Sequence, residues 1–96
     1  MELPPVTHSI DGHRGSFSFD VDGKRLAEMT YSVAGDGMVI IEHTDVDGSL
    51  RGTGAGKKLL AALVDWVRAE HKKVIPLCPF AKATFDKTPE FQDVLK

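Results

Sequence analysis

With 96 residues, 42% apolar and 27% charged, the chain is long enough for one domain around a single modest core. One cysteine excludes an intrachain disulfide, and the four histidines (His8, His13, His43, His71) lack the spacing that would join it in a zinc site. The net charge of −2 conceals an asymmetry: residues 1–50 carry nine acids against three bases, residues 51–96 five acids against nine bases.

The basic half suits a polyanionic ligand and the acidic half a cationic one, or the two are simply solvated faces that segregate. No apolar run nears the roughly 20 residues needed to span a bilayer. Met1-Glu2-Leu3-Pro4-Pro5 has neither the basic nor the apolar region of a secretory signal. No basic stripe is interleaved with aromatics, so nucleic acid is not an expected partner. A cytoplasmic protein with no membrane partner is expected, as a monomer or weak dimer.

In chain order, residues 1–13 are polar and proline-rich and read as a loose lead-in ending at Asp11-Gly12. From Gly15 to Val21, Phe17, Phe19 and Val21 alternate with Ser16, Ser18 and Asp20, the period of a half-buried strand. Asp22-Gly23 is a hairpin signal. Lys24 to Val33 alternates again, with Ala27, Met29, Tyr31 and Val33 on one face. Gly35-Asp36-Gly37 turns the chain into a third strand, Met38 to Thr44. On this strand strict alternation places His43 with Val39 and Ile41, and Glu42 with Met38 and Ile40, on opposite faces.

The period then becomes helical, from about Gly54 to His71. Leu59, Leu60, Leu63, Val64 and Val67 form an inward stripe, with Trp66 at its edge. Val74 to Leu77 is a short strand. A right-handed crossover makes it the parallel neighbour of strand 38–44. Pro76 has no N–H, so this last strand lies at an edge or splays from its neighbour. Pro79 to Lys87 reads as a short helix with proline in its first turn, and Thr88-Pro89 opens a final one.

The junction before the long helix, Leu50-Arg51-Gly52-Thr53-Gly54-Ala55-Gly56-Lys57-Lys58, carries the strongest chemical signal. Glycines bare the backbone, and the first helical turn offers unpaired N–H groups and the positive end of the dipole. Phosphate is the usual guest of such a site. Two phosphate loops fail on spacing. A Walker A loop would put its first glycine on Arg51 and a serine or threonine on Lys58. The dinucleotide fingerprint would put its third glycine on Lys57 or Leu59.

Arg51-x-x-Gly54-x-Gly56 does match the R/Q-x-x-G-x-G/A signature of the GNAT acyl-CoA N-acyltransferases. The runs Lys73-Val74-Ile75-Pro76-Leu77-Cys78-Pro79-Phe80, Thr88-Pro89-Glu90-Phe91 and His43-Thr44-x-Val46 resemble a subgroup of very short GNAT proteins carrying a C-P-F motif. The resemblance covers about residues 14–95. It implies an α+β fold: an antiparallel meander, a β-α-β crossover with splayed parallel strands, and short C-terminal helices. Thr84 stands where the subgroup commonly has tyrosine, and Thr88 where it has histidine, so neither offers that group's proton.

What the resemblance further implies is an acetyl-CoA-dependent N-acetyltransferase. Its acceptor would be a cationic small-molecule amine, a protein lysine or an N-terminus. The pyrophosphate is expected on the backbone of Arg51, Gly52, Thr53, Gly54, Ala55, Gly56 and Lys57. The pantetheine arm is expected beside Thr44, Asp45 and Val46, and the 3′-phosphate near Lys57, Lys58, Lys82 or Lys87. Glu42 and His43 are the candidates for accepting the amine's proton. Cys78, ahead of a helix start, is the candidate nucleophile, with a small buried hydrophobe as the competing reading. The alternative function is a domain that binds acyl-CoA without turnover.

Overall fold

The computed structural model describes residues 3–96. Five strands form one sheet in chain order: β1 (Thr7–Asp11), β2 (Arg14–Val21), β3 (Lys24–Ala34), β4 (Met38–Val46) and β5 (Lys73–Pro76). The first four are antiparallel neighbours and β5 runs parallel to β4. The connection from β4 to β5 contains a 3₁₀ turn (Gly48–Leu50) and helix α1 (Ala55–Ala69). Helix α2 (Pro79–Lys87) and a 3₁₀ segment (Pro89–Val94) follow β5. This is the α+β architecture expected: a meander, a crossover and short C-terminal helices.

The period-two stripe builds one wall of the core. Phe17 and Phe19 of β2, Ala27, Met29 and Tyr31 of β3, and Val39 and Ile41 of β4 are all buried. Across from them α1 presents Leu59, Leu60, Leu63, Val64 and Val67, each fully buried and contributing roughly 1.5–3 kcal/mol. Val21 does not join the stripe. The β2–β3 register shifts between Phe19 and Asp20, leaving Leu26 as an extra residue on β3, and Val21 beyond that bulge is exposed. Ser16 and Ser18, expected to face solvent, are buried as well; Ser18 is small and lies between Thr7 of β1 and Glu28 of β3.

Residues 7–11 are not a loose lead-in. They form the edge strand β1, with His8 opposite Phe17. The His8 imidazole stacks on the Phe17 ring at 4.0 Å, meets Trp66 edge-on at 4.9 Å, and hydrogen-bonds Tyr31 Oη at 2.6 Å. Burial holds the His8 pKa below its ordinary value. A β-carbon on Gly15 would collide with the Tyr31 phenol and stand 2.8 Å from the Ser9 carbonyl, so this glycine is required by space and not by dihedral angle.

The C-terminal 3₁₀ segment is tied back to the helix and the sheet edge. Arg68 of α1 grips the Asp93 carboxylate through Nε at 3.0 Å and also donates to the Glu90 carbonyl. An isolated bridge joins Leu95 to Val74, with Lys96 N donating to Val74 O at 3.1 Å. Among the described residues no helix is long and apolar enough to cross a membrane.

Candidate active site

Two local irregularities create a cleft at the C-terminal end of β4. The first is the end of the β4–β5 pairing at Ile41 and Pro76, as the missing proline N–H requires. Leu77 N and Cys78 N both donate to the Ile41 carbonyl, at 3.0 and 3.1 Å, and β5 then leaves the sheet while β4 runs on to Val46. The strands splay, and among the described residues, positions 42–46 of β4 have no strand partner on that side. The second is a bulge in β4. Thr30 aligns with His43 and Tyr31 with Ile41, so Glu42 is an extra residue.

The bulge overturns strict alternation. Before it, Val39 and Ile41 face the core; after it, Thr44 aligns with Met29 and Val46 with Ala27, so residues 44 and 46 face the core side instead. Glu42 and His43 therefore do not lie on opposite faces as expected. Both project from the outer face of the sheet: Glu42 accepts from Arg14 Nη2 at 2.7 Å and from Ser32 Oγ at 3.4 Å, and His43 aligns with Thr30.

The loop into α1 is shaped by two left-handed glycines, Gly52 at φ 83° and Gly54 at φ 76°. Asp47 caps the preceding turn by accepting from Ser49 N at 2.9 Å, and the Thr53 hydroxyl donates to the Leu50 carbonyl at 2.6 Å. The first bond within α1 runs from Lys58 N to Gly54 O at 3.0 Å. The amides of Ala55, Gly56 and Lys57 are thus left without helical acceptors and point out of its N-terminal end.

Between this turn, the free half of β4 and α2 lies a cleft of about 540 Å³. Thr44 and Val46 form one side, the loop and first turn from Leu50 through Lys57 another, and Phe80, Thr84, Lys87 and Thr88 the third. Gly56 has no β-carbon because the Phe80 ring rests on it; one built there would stand 2.5 Å from Phe80 Cζ. Thr84 spends its hydroxyl on the Phe80 carbonyl at 2.9 Å.

Of the expected ligand-binding residues, Thr44, Val46, Arg51, Gly52, Gly54, Ala55, Gly56, Lys57 and Lys87 line this cleft. Asp45 opens instead into a polar recess with Arg25, Glu28 and Asp47. Thr53, Lys58 and Lys82 are not on the cleft wall. The unforeseen part of the wall is Phe80 and Thr84, which with the expected Lys87 are spaced i, i+4, i+7 on one face of α2, with Leu50 and Thr88 closing its ends. That spacing was present in the sequence.

Cys78 is the N-cap of α2, with Pro79 at the helix start, as expected. It is 5% exposed and sits behind Thr44, its Sγ 3.3 Å from Thr44 Oγ1. Burial pushes the thiol pKa up. The Thr44 hydroxyl and the amides of Ala81, Phe80 and Thr44 outweigh it and hold the pKa below the ordinary thiol value. No N–H meets the strict geometry of a capping bond to the sulfur, so these amides act as nearby dipoles. Among the described residues no cluster of three His, Cys, Asp or Glu side chains could hold a metal ion.

Known proteins share both this fold and this sequence pattern. The family described as GCN5-related N-acetyl-transferase matches residues 16–94. An NMR structure of a GCN5-like protein from Staphylococcus aureus, taken to be an N-acetyltransferase, superposes with a TM-score of 0.72 at 34% identity, covering 94% of this chain and 87% of the other. The mouse protein named Protein NATD1 is 29% identical over 86 residues, which span 88% of this chain and 78% of that protein. An aminoglycoside 6′-N-acetyltransferase crystallised with coenzyme A shares the fold at a TM-score of 0.59 and 13% identity, covering 69% of this chain and 38% of its own.

Proposed function

Because this chain belongs to the GCN5-related N-acetyltransferase family and is an acetyltransferase of that kind, we propose that it moves an acetyl group from acetyl-CoA to a cationic amine. The observation that carries this reading is the free amides of Ala55, Gly56 and Lys57 opening onto the same cleft as the unpaired half of β4. The cleft also fits the cosubstrate in its charges. Arg51, Lys57 and Lys87 lie on its wall, placing three cations around a polyanion. When bound, acetyl-CoA supplies the activated acetyl thioester.

The chain's own residues divide the work. The first turn of α1 holds the pyrophosphate on backbone N–H groups, and the extended backbone of Thr44 to Val46 pairs with the pantetheine arm. Of the four lysines expected at the 3′-phosphate, Lys57 and Lys87 are the two on the cleft wall. A main-chain N–H near Val46 polarises the thioester carbonyl. Cys78, buried just behind Thr44 with its pKa held below the ordinary thiol value, is the side chain we assign as nucleophile. Once ionised it would bond the acetyl carbon as the CoA thiolate leaves, and the amine would then take the acetyl group and free the cysteine sulfur. Glu42 is already engaged by Arg14 and Ser32, so His43 is the side chain we assign to receive the amine's proton from the outer face. The C-P-F run at Cys78-Pro79-Phe80 supports placement in the very short subgroup.

Acceptors of this reaction are primary amines on small cationic molecules or on protein lysines and N-termini. Such acetyltransferases occur among fold neighbours that act on an aminoglycoside. The test is release of free CoA thiol from acetyl-CoA across polyamines, aminoglycosides, amino acids and lysine peptides. At least one amine should accelerate release well above the rate with water alone. Tight acetyl-CoA binding with no acceleration by any amine would support the non-catalytic binding reading instead.

A further inference from the structure

Thr44 is the only side chain that both lines the cleft and hydrogen-bonds the sulfur of Cys78 among the described residues. Its direction is not that of the strand period. Without the extra residue at Glu42, position 44 would project from the outer face with no access to Cys78. The bulge therefore aims a hydroxyl at the thiol, across the point where β5 leaves the sheet. In the resting state the thiol donates to Thr44 Oγ1 at 3.3 Å. A hydroxyl can also rotate and donate, which a valine of the same shape cannot do.

We propose that Thr44 is a positioning residue for Cys78: its hydroxyl accepts from the neutral thiol and turns to donate to the thiolate, fixing the sulfur directly behind the cleft wall. No bond other than the S–H breaks in this switch, and the thiol proton passes to solvent. The functional meaning of the switch rests on Cys78 being the reactive thiol of the acetyl transfer. Among the described residues, none of Glu42, His43 and Asp45 on β4, Lys57 on α1, or Lys82 and Lys87 on α2 hydrogen-bonds the sulfur; burial raises the Cys78 pKa, and the Thr44 hydroxyl with backbone amides lowers it.

The single cysteine makes the test direct, since thiolate absorbance in the far ultraviolet reports one residue. The single tyrosine, Tyr31, is buried and its phenol is held above its ordinary range, which keeps its titration clear of the thiolate's. Thr44→Val should raise the thiolate midpoint by roughly one pH unit, a tenfold change in the ionisation constant, while Thr44→Ser stays near the parent. Circular dichroism of each variant confirms the fold, and Cys78→Ser supplies the blank. An unchanged midpoint in folded Thr44→Val, or an equal shift in Thr44→Ser, overturns the proposal. The titration needs no turnover, so a Cys78 with no part in acetyl transfer would leave this result intact and be detected separately, by activity in Cys78→Ala.

Discussion

Gly54→Val and Gly56→Asp should each lower affinity for acetyl-CoA by on the order of a hundredfold, about 3 kcal/mol. The two act differently. Gly54 sits at φ 76°, where a β-branched side chain is strained, so valine forces the turn to rearrange and moves the amides that follow. Gly56 has no positive φ; its β-carbon would strike the Phe80 ring, and an aspartate adds a negative charge beside the anion. Gly56→Ala carries the same collision without the charge and separates the two causes. If it weakens binding far less than Gly56→Asp, repulsion dominates; equal losses mean the displaced Phe80 ring is responsible. Isothermal titration calorimetry on folded variants reads all three. Parent-like affinity in both Gly54→Val and Gly56→Asp would put the ligand elsewhere.

Cys78→Ala should retain acetyl-CoA binding and lose most amine-dependent release of CoA thiol, by about 100-fold or more. The thiol is held in place by a helix N-terminus and one hydroxyl, neither of which depends on the ligand, so binding and catalysis separate in this variant. In the parent the rate should rise with pH as the thiol ionises. The midpoint should lie below that of an ordinary thiol, because the Cys78 pKa is lowered. Below it the thiol is neutral and the rate falls. Incubation with acetyl-CoA followed by intact mass and peptide mapping shows whether the acetyl group rests on Cys78: a gain of one acetyl group at this residue marks a covalent intermediate. Full activity in Cys78→Ala would reduce the side chain to a packed core group.

Much of this was legible beforehand, for identifiable reasons. The period-two stripes of β2 and β3 and the period of α1 report burial directly, and each appears where the apolar residues recur. Pro76 announced the splay because a missing N–H is a local covalent fact, independent of tertiary structure. The strand β1 was not legible. Its inward residue is a polar histidine satisfied by Tyr31, and Ile10, two residues on and on the same face opposite Gly15, is 64% exposed, so no buried apolar stripe marks the strand. The bulge at Glu42 was equally hidden. One extra residue in a run of β-formers leaves no compositional mark, yet it reverses the facing of His43 through Val46 and with it the assignment of His43 to the core face. The α2 wall was visible as a spacing, but only the fold shows that this face looks onto the glycine loop.

The central claim is that acetyl-CoA lies across the N-terminal turn of α1 and along the unpaired half of β4. Titration of the isotope-labelled protein with acetyl-CoA, followed amide by amide in NMR spectra, tests it most directly. The account predicts saturable shifts at the N–H groups of Gly54 to Lys58 and of Thr44 to Val46, with smaller changes at Phe80 and Thr84. Shifts confined to β1 and the outer face of the sheet, or no saturable change at millimolar acetyl-CoA, a concentration on the order of a 4 kcal/mol binding limit, would contradict it.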